Sequence, residues 1–274
     1  MPLTLYHFNN SVCSQKVRLA LYEKGIEWDE RVVDLPKLEQ YAPEYLHLNP
    51  KGVVPTLVHD GSVVIESTLI CEYIDDVFPG VSLKPAPPAD LAAMRVWTKA
   101  VDEGLHEGIV ALSFSAMFRE RMRKMTDDQR ERQFWNIGDP ERRERDRAVF
   151  EQGVEAAHVF HAVASYETLF RKLENVFGDG RAWVSGDQYT LADINLAPYA
   201  ARLEYMNLLP LWISGRPRVG AWWGRIQTRP AFKAGLSNRL TITDFKAMKK
   251  FGGAIRQRLG ERRNEYLEEF GPED

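Results

Sequence analysis

Val53-Val54-Pro55-Thr56-Leu57-Val58-His59-Asp60-Gly61-Ser62-Val63-Val64-Ile65-Glu66-Ser67 is the stretch whose reading decides the fold. Asp60-Gly61 separates two apolar, β-branched runs, the pattern of a tight hairpin. Ser67 then opens a segment with Leu69, Ile70, Tyr73, Ile74 and Val77 at helical spacing, and serine is a favoured N-cap. One short unit thus offers a proline at a strand start, a hairpin, and a helix N-terminus fronted by the Glu66 carboxylate. That pair suits a zwitterion: the helix N-terminus takes a carboxylate and Glu66 takes an ammonium.

Upstream, residues 3–8 form a short β run, and Ser11–Ser14 opens a helix through Lys24 that Gly25 stops in the C′ position. Residues 28–33 form a second β run, so the opening reads as a parallel strand–helix–strand unit. A short helical piece over 37–48 leads through Asn49-Pro50-Lys51-Gly52 to the hairpin. Downstream, the segment from Phe78-Pro79-Gly80 to Pro87-Pro88 holds four prolines and reads as a linker. From Asp90 onward the patterning is helical, over 92–118, 141–177, 191–206 and 219–228. Thr190-Leu191-Ala192-Asp193 reads as a capping box, with Tyr189 and Ile194 at the staple positions. The charged stretch 119–147 reads as solvated helix faces and loops. The expected organisation is therefore an α/β domain over 1–78, a linker over 79–89, and an all-helical domain over 90–274.

Composition narrows the function classes. With 44% hydrophobic and 27% charged residues in 274, the chain has the balance of a soluble globular protein. A net charge of −3 gives no electrostatic case for nucleic acid. Residues 1–78 carry six Lys/Arg against twelve Asp/Glu, a net of −6 that leaves +3 for the remainder, too mild an asymmetry for a polyanion partner. Two cysteines without CxxC or Cys/His metal spacing argue against a disulfide-stapled secreted protein and against a metal site. No stretch has the length and apolarity of a membrane span, and the opening residues lack a signal-type pattern, so the expected location is cytoplasmic.

Asn-Pro-x-Gly-x-Val-Pro over 49–55, the Glu66-Ser67 pair, the proline-containing linker and the capping box together resemble the glutathione transferase family, over roughly residues 3–232. The resemblance implies a thioredoxin-like N-terminal domain followed by a helical bundle, with glutathione as co-substrate. Residues 66–73 and 94–99 look similar to the bacterial β-aryl etherases, while Gly25-Ile26, Ser11-x-Cys13-Ser14 and Asn49-Pro50 resemble the zeta class. It places Ser11, Cys13 or Ser14 at the glutathione sulfur, and Glu66 and Ser67 at the γ-glutamyl end. Val54 and Pro55 take the cysteinyl backbone, Pro55 following a cis peptide. Gln40 and Lys51 receive the glycine carboxylate. It also implies a C2 homodimer.

The chemistry of the sulfur is within reach of these residues. An unperturbed thiol titrates near about 8.5, and lowering it by about two units needs about 2.7 kcal/mol of preference for the thiolate. A hydroxyl donor to a charged sulfur offers roughly 1.5–3 kcal/mol. A helix N-terminus adds roughly 0.3–1 kcal/mol. Ser11 before the first helix can supply both, although any helix accepts serine as a plain N-cap. Cys13 reads as a neighbour of the site rather than a nucleophile, Ser14 replaces Ser11 if the loop sits one turn later, and Cys71 falls in a core register. His106, Phe114 and Met117 fall where an electrophile pocket would begin, though a lone helix histidine is more often structural. The expected activity is attack of glutathione thiolate on a hydrophobic, aromatic electrophile. β-Aryl ether cleavage, disulfide reduction, zeta-type isomerisation and a non-catalytic glutathione-binding scaffold stand as alternatives.

Overall fold

The computed structural model describes residues 2–271; Met1 and residues 272–274 of the expected first and last domains lie outside the described residues. In chain order the elements are β1 (Leu3–His7), α1 (Val12–Glu23), β2 (Asp29–Val32), α2 (Pro43–Leu48), β3 (Thr56–His59), β4 (Ser62–Val64), α3 (Ser67–Val77) and α4 (Pro88–Ala100). There follow α5 (His106–Ser113), α6 (Arg119–Met122), α7 (Asp127–Trp135), α8 (Pro140–Gln152), α9 (Ala157–Val176) and α10 (Leu191–Tyr205). The last are α11 (Pro210–Ile213), α12 (Pro217–Thr228), α13 (Pro230–Gly235) and α14 (Ile242–Phe270). This is the thioredoxin-like α/β fold joined to a helical bundle that the sequence resemblance implies.

The chain packs as two compact units. The first comprises Met1–Lys99, Asp179–Pro198 and Ala221–Thr241. Its sheet has the order β2-β1-β3-β4, with β1 and β2 parallel and the remaining pairs antiparallel. The hairpin between β3 and β4 turns at Asp60 (φ 48°) and Gly61 (φ 80°), both left-handed, as a two-residue I′ turn requires. Leu5 and Leu57 on the strands, Val17 and Leu21 on α1, and Ile70 and Ile74 on α3 are all buried, at the positions the strand alternation and the helical spacing make apolar. The Asp193 carboxylate is a buried hub here. It accepts the Val184 and Thr190 N–H groups, each at 3.1 Å, and the Trp222 indole N–H at 2.9 Å.

The second unit comprises Ala100–Gly178, Tyr199–Gly220 and Ile242–Asp274. Two expectations of continuous helix fail in it. The 92–118 pattern is interrupted over Val101–Leu105, where Glu103 and Gly104 leave helical geometry and Gly104 takes φ 131°; it then passes through a π-helical turn at Phe114–Phe118. The 141–177 pattern breaks at Gly153, whose φ of 62° and ψ of −128° no helix accommodates. The Arg119 guanidinium closes on that break, donating to the Phe150 and Glu151 carbonyls at the end of α8. Residues 242–270, which carry no motif, form the long α14. Its Gly252 lies against the Met206 main chain, and its Arg263 joins Arg216 on the buried Glu167 carboxylate.

Candidate functional site

The residues expected to meet glutathione all belong to the first unit, in the β1–α1 loop and first turn of α1, the turn at Glu39–Tyr41, the α2–β3 turn and the start of α3. In the loop, Ser11 has extended geometry (φ −88°, ψ 123°) and caps α1, its Oγ accepting the Ser14 N–H at 3.2 Å. Its own N–H donates to the Phe8 carbonyl at 3.1 Å. Ser11 is half-buried, and its hydroxyl hydrogen is not needed for the cap. Ser14 differs. It is fully buried, and its Oγ accepts the Phe8 N–H at 3.4 Å. Cys13 is half-buried on the first turn of α1 and Cys71 is buried on α3, and the two form no disulfide.

The Val54–Pro55 peptide is cis, and both residues are buried. Two side chains clamp the turn. Tyr45 donates from its hydroxyl to the Val53 carbonyl at 2.6 Å, and Asn49 donates from Nδ2 to the same carbonyl at 3.0 Å and to Thr56 Oγ1 at 3.1 Å. Burial pushes the Tyr45 phenol up to about 12, so it remains a donor. Asn49 stands in the quoted motif, but Tyr45 carried no signal beyond its place one helical turn before Asn49. Gly52 (φ 59°) seats this turn against its neighbours. A Cβ there would meet the Tyr41 ring at 2.8 Å and the Gln40 carbonyl at 3.3 Å. Gln40 is buried, and its side-chain oxygen Oε1 has no partner among the described residues.

At the start of α3 the structure corrects the capping assignment. Ser67 is the first helical residue, and Glu66, at φ 69° and ψ 109°, occupies the cap position without a capping hydrogen bond from its side chain to the helix. A non-glycine residue in that region turns the chain sharply into the helix, and the Glu66 side chain caps none of the first amide N–H groups. The exposed Glu66 carboxylate is paired with the Lys51 ammonium at 2.6 Å. Behind Ser67, the buried Lys16 ammonium on α1 donates to Thr68 Oγ1 at 2.7 Å, and Thr68 Oγ1 lies 3.4 Å from Asn195 Oδ1 on α10.

The structure thus brings Glu66, Ser67 and Lys51 into one neighbourhood, and Gln40 beside Gly52, next to Lys51 in the chain. Sequence reasoning missed Lys16, Arg18 and Tyr45. Lys16 and Arg18 had a legible signal, for both are charges on the buried stretch 14–21 of α1. In the second unit, His106 lies 3.3 Å from the hydroxyl of the buried Tyr199 through Nδ1, and Arg202 donates to Ser113 Oγ at 3.3 Å. Phe114 is buried and Phe118 exposed there. No helix among the described residues is long and apolar enough to cross a membrane.

Comparison with known proteins identifies the family. The family models for the glutathione S-transferase N-terminal domain and C-terminal domain match residues 10–77 and 140–225. The chain is 36% identical to protein LigF of Sphingobium sp. (strain NBRC 103272 / SYK-6), over 85% of this chain and 92% of that protein. It is 30% identical to the tetrachloro-p-hydroquinone reductive dehalogenase of Sphingobium chlorophenolicum, over 85% and 95%. Among solved structures, β-etherase LigF from Sphingobium sp. strain SYK-6 superposes with a TM-score of 0.78 at 34% identity, over 87% of this chain and 100% of that one. Glutathione transferase F7 from Populus trichocarpa superposes with a TM-score of 0.68 at 25% identity, over 88% and 100%. The chain belongs to the glutathione S-transferase family, enzymes that take glutathione as co-substrate.

Proposed function

We propose that Ser11 stabilises the glutathione thiolate, which attacks a hydrophobic, aromatic electrophile. The supporting observation is the contrast at the start of α1: Ser11 is half-buried with a hydroxyl hydrogen to give, whereas Ser14 is fully buried and serves the Phe8 amide. Glu66 takes the γ-glutamyl ammonium and the uncapped start of α3 at Ser67 takes the neighbouring carboxylate. Val54 and Pro55 present main chain to the cysteinyl residue, and Gln40 and Lys51 receive the glycine end. The thiol proton leaves to solvent, the sulfur forms a thioether to the electrophilic carbon, and the leaving group departs with its electron pair. Titrating the ultraviolet absorbance of bound thiolate in wild type and Ser11→Ala tests this. An unchanged midpoint rejects Ser11.

Cleavage of a β-aryl ether is the second reading, favoured by the 36% identity to LigF. The same thiolate would then break a carbon–oxygen bond, and the aryloxide would leave and take up a proton. Turnover on an aryl halide, a mixed disulfide and a β-aryl ether, measured side by side, separates these reactions. Assembly as a C2 homodimer belongs to this reading as well. Leu69 on α3 and Val96 on α4 are exposed by 59% and 66%, and Val96 lines a groove of about 400 Å³ with Pro88, Leu91, Ala92, Arg95 and Lys99. A sedimenting species of 31.4 kDa at micromolar concentration would count against the dimer.

A further inference from the structure

The loop that carries Ser11 is held from behind by one buried guanidinium. Arg18 lies about two turns past Ser11 on α1 and is 0% exposed. Its Nε donates to the Gly235 carbonyl at 2.8 Å, and its Nη2 to the Asn9 carbonyl at 2.8 Å. Nη1 donates to His7 Nδ1 at 2.9 Å and to the Phe8 carbonyl at 3.4 Å. The Phe8 carbonyl also accepts the Ser11 N–H. A single oxygen therefore joins Arg18 to the Ser11 main chain.

Burying a guanidinium carries a large desolvation cost, recovered only where its hydrogen bonds are well made. The planar fork meets four acceptors here at once, an arrangement a lysine ammonium does not reproduce. Because arginine only donates, His7 accepts at Nδ1 and is neutral. Burial, followed by the Arg18 charge, draws its pKa down to about 4. His7 Nε2 faces Glu30 at 3.8 Å, and Glu30 is paired with Arg239 at 2.7 Å. The array thus runs from the Phe8–Asn9 carbonyls through Arg18 to residues 235–239, more than two hundred positions along the chain.

We propose that Arg18 is a positioning residue for the sulfur: by fixing the Phe8 and Asn9 carbonyls it sets where Ser11 presents its hydroxyl. The proposal rests on the reading of Ser11 given above. A mere strut between α1 and α13 would support the fold without acting on the thiol, and the two roles separate experimentally.

The variant is Arg18→Lys, which keeps the charge and loses the fork. Two quantities are read on folded protein: the apparent pKa of the thiol of bound glutathione, and the affinity for S-methylglutathione, which has no thiol proton. The positioning role gives a rise of about one unit in the thiol pKa and a loss of about tenfold in kcat at neutral pH. Affinity for S-methylglutathione then changes by less than about threefold. An unchanged thiol pKa overturns the proposal, as does a loss of S-methylglutathione affinity as large as the loss in kcat. Should Arg18→Lys fail to fold, His7→Leu removes one anchor while leaving the arginine in place. It must move the thiol pKa the same way, and no shift there overturns the proposal. If Ser11→Ala leaves the thiol pKa of the wild type unmoved, the failure lies in the reading of Ser11 instead.

Discussion

The Lys51 ammonium lies 2.6 Å from the Glu66 carboxylate, so two charges assigned to opposite ends of glutathione neutralise each other in the free protein. Both side chains are about half exposed or more, and an exposed pair of this kind contributes about 0–1 kcal/mol. The pair is therefore a weak obstacle to a zwitterionic ligand. Glu66→Ala should weaken glutathione binding by about 1.5–3 kcal/mol, the range for a lost charge-assisted hydrogen bond. Lys51→Ala should change folding stability by less than about 1 kcal/mol. Calorimetry on well-folded Glu66→Ala protein showing unchanged affinity would remove Glu66 from the site.

The three candidates at the start of α1 should separate by the kind of damage their loss causes. Ser14→Ala leaves the half-buried Phe8 N–H without the Ser14 acceptor, which costs about 1–3 kcal/mol of stability. Ser11→Ala should lower turnover at neutral pH by raising the thiol pKa, with a smaller loss of stability from the cap of about 0.5–2 kcal/mol. Cys13→Ser should do less than either. Urea unfolding and pH–rate profiles on all three variants give the comparison, and activity lost only in Cys13→Ser points to cysteine chemistry.

His7 should leave a signature in acid. Its folded pKa of about 4 lies below its ordinary 6.5, so the folded state disfavours the proton that the unfolded chain accepts. The associated stability is fully present above about pH 6.5 and lost as pH falls towards about 4. A depression of this size corresponds to roughly 3 kcal/mol. His7→Leu should remove that component of the pH dependence. Parallel stability curves for wild type and variant between pH 4 and 7 refute the assignment.

Gly252 tests the approach of α14 to residue 206. In an open helix, glycine to alanine stabilises by about 1 kcal/mol. Here a Cβ would run into the Met206 carbonyl oxygen, a main-chain atom that cannot swing aside. Overpacking of about 1–3 kcal/mol should reverse the sign. Thermal unfolding of Gly252→Ala should show a lowered midpoint, and a raised one would mean that α14 sits farther away.

Local chemistry made much of this molecule legible. Asp60-Gly61 needed only its own left-handed preference to form the turn, and Ser11 and Thr190 each meet an amide within three residues. Expectations failed where a distant group decided the outcome. Glu66 holds a positive φ that its residue type does not announce, and Gly153 breaks a helix that Arg119, thirty-four positions earlier, then closes. The clamp on the cis turn depends on Tyr45 and Asn49 projecting from one end of α2, and Arg18 depends on a carbonyl at Gly235. Periodicity reports which face of a helix is apolar, but not which remote oxygen a buried guanidinium will find.

Arg229 and Arg239 hold Glu23 and Glu30 from a part of the chain far beyond the helices that follow the linker. Residues 1–78 expressed alone would lack those cations, as well as the Gly235 carbonyl that Arg18 uses and the Trp222 that packs the same unit. A chimera made by cutting at the linker and grafting another member's helical half would inherit foreign groups at all of these places. The natural crossover points for recombining this enzyme are therefore not at the proline-rich joint, and a productive hybrid should carry its own 221–241 with its own first 99 residues.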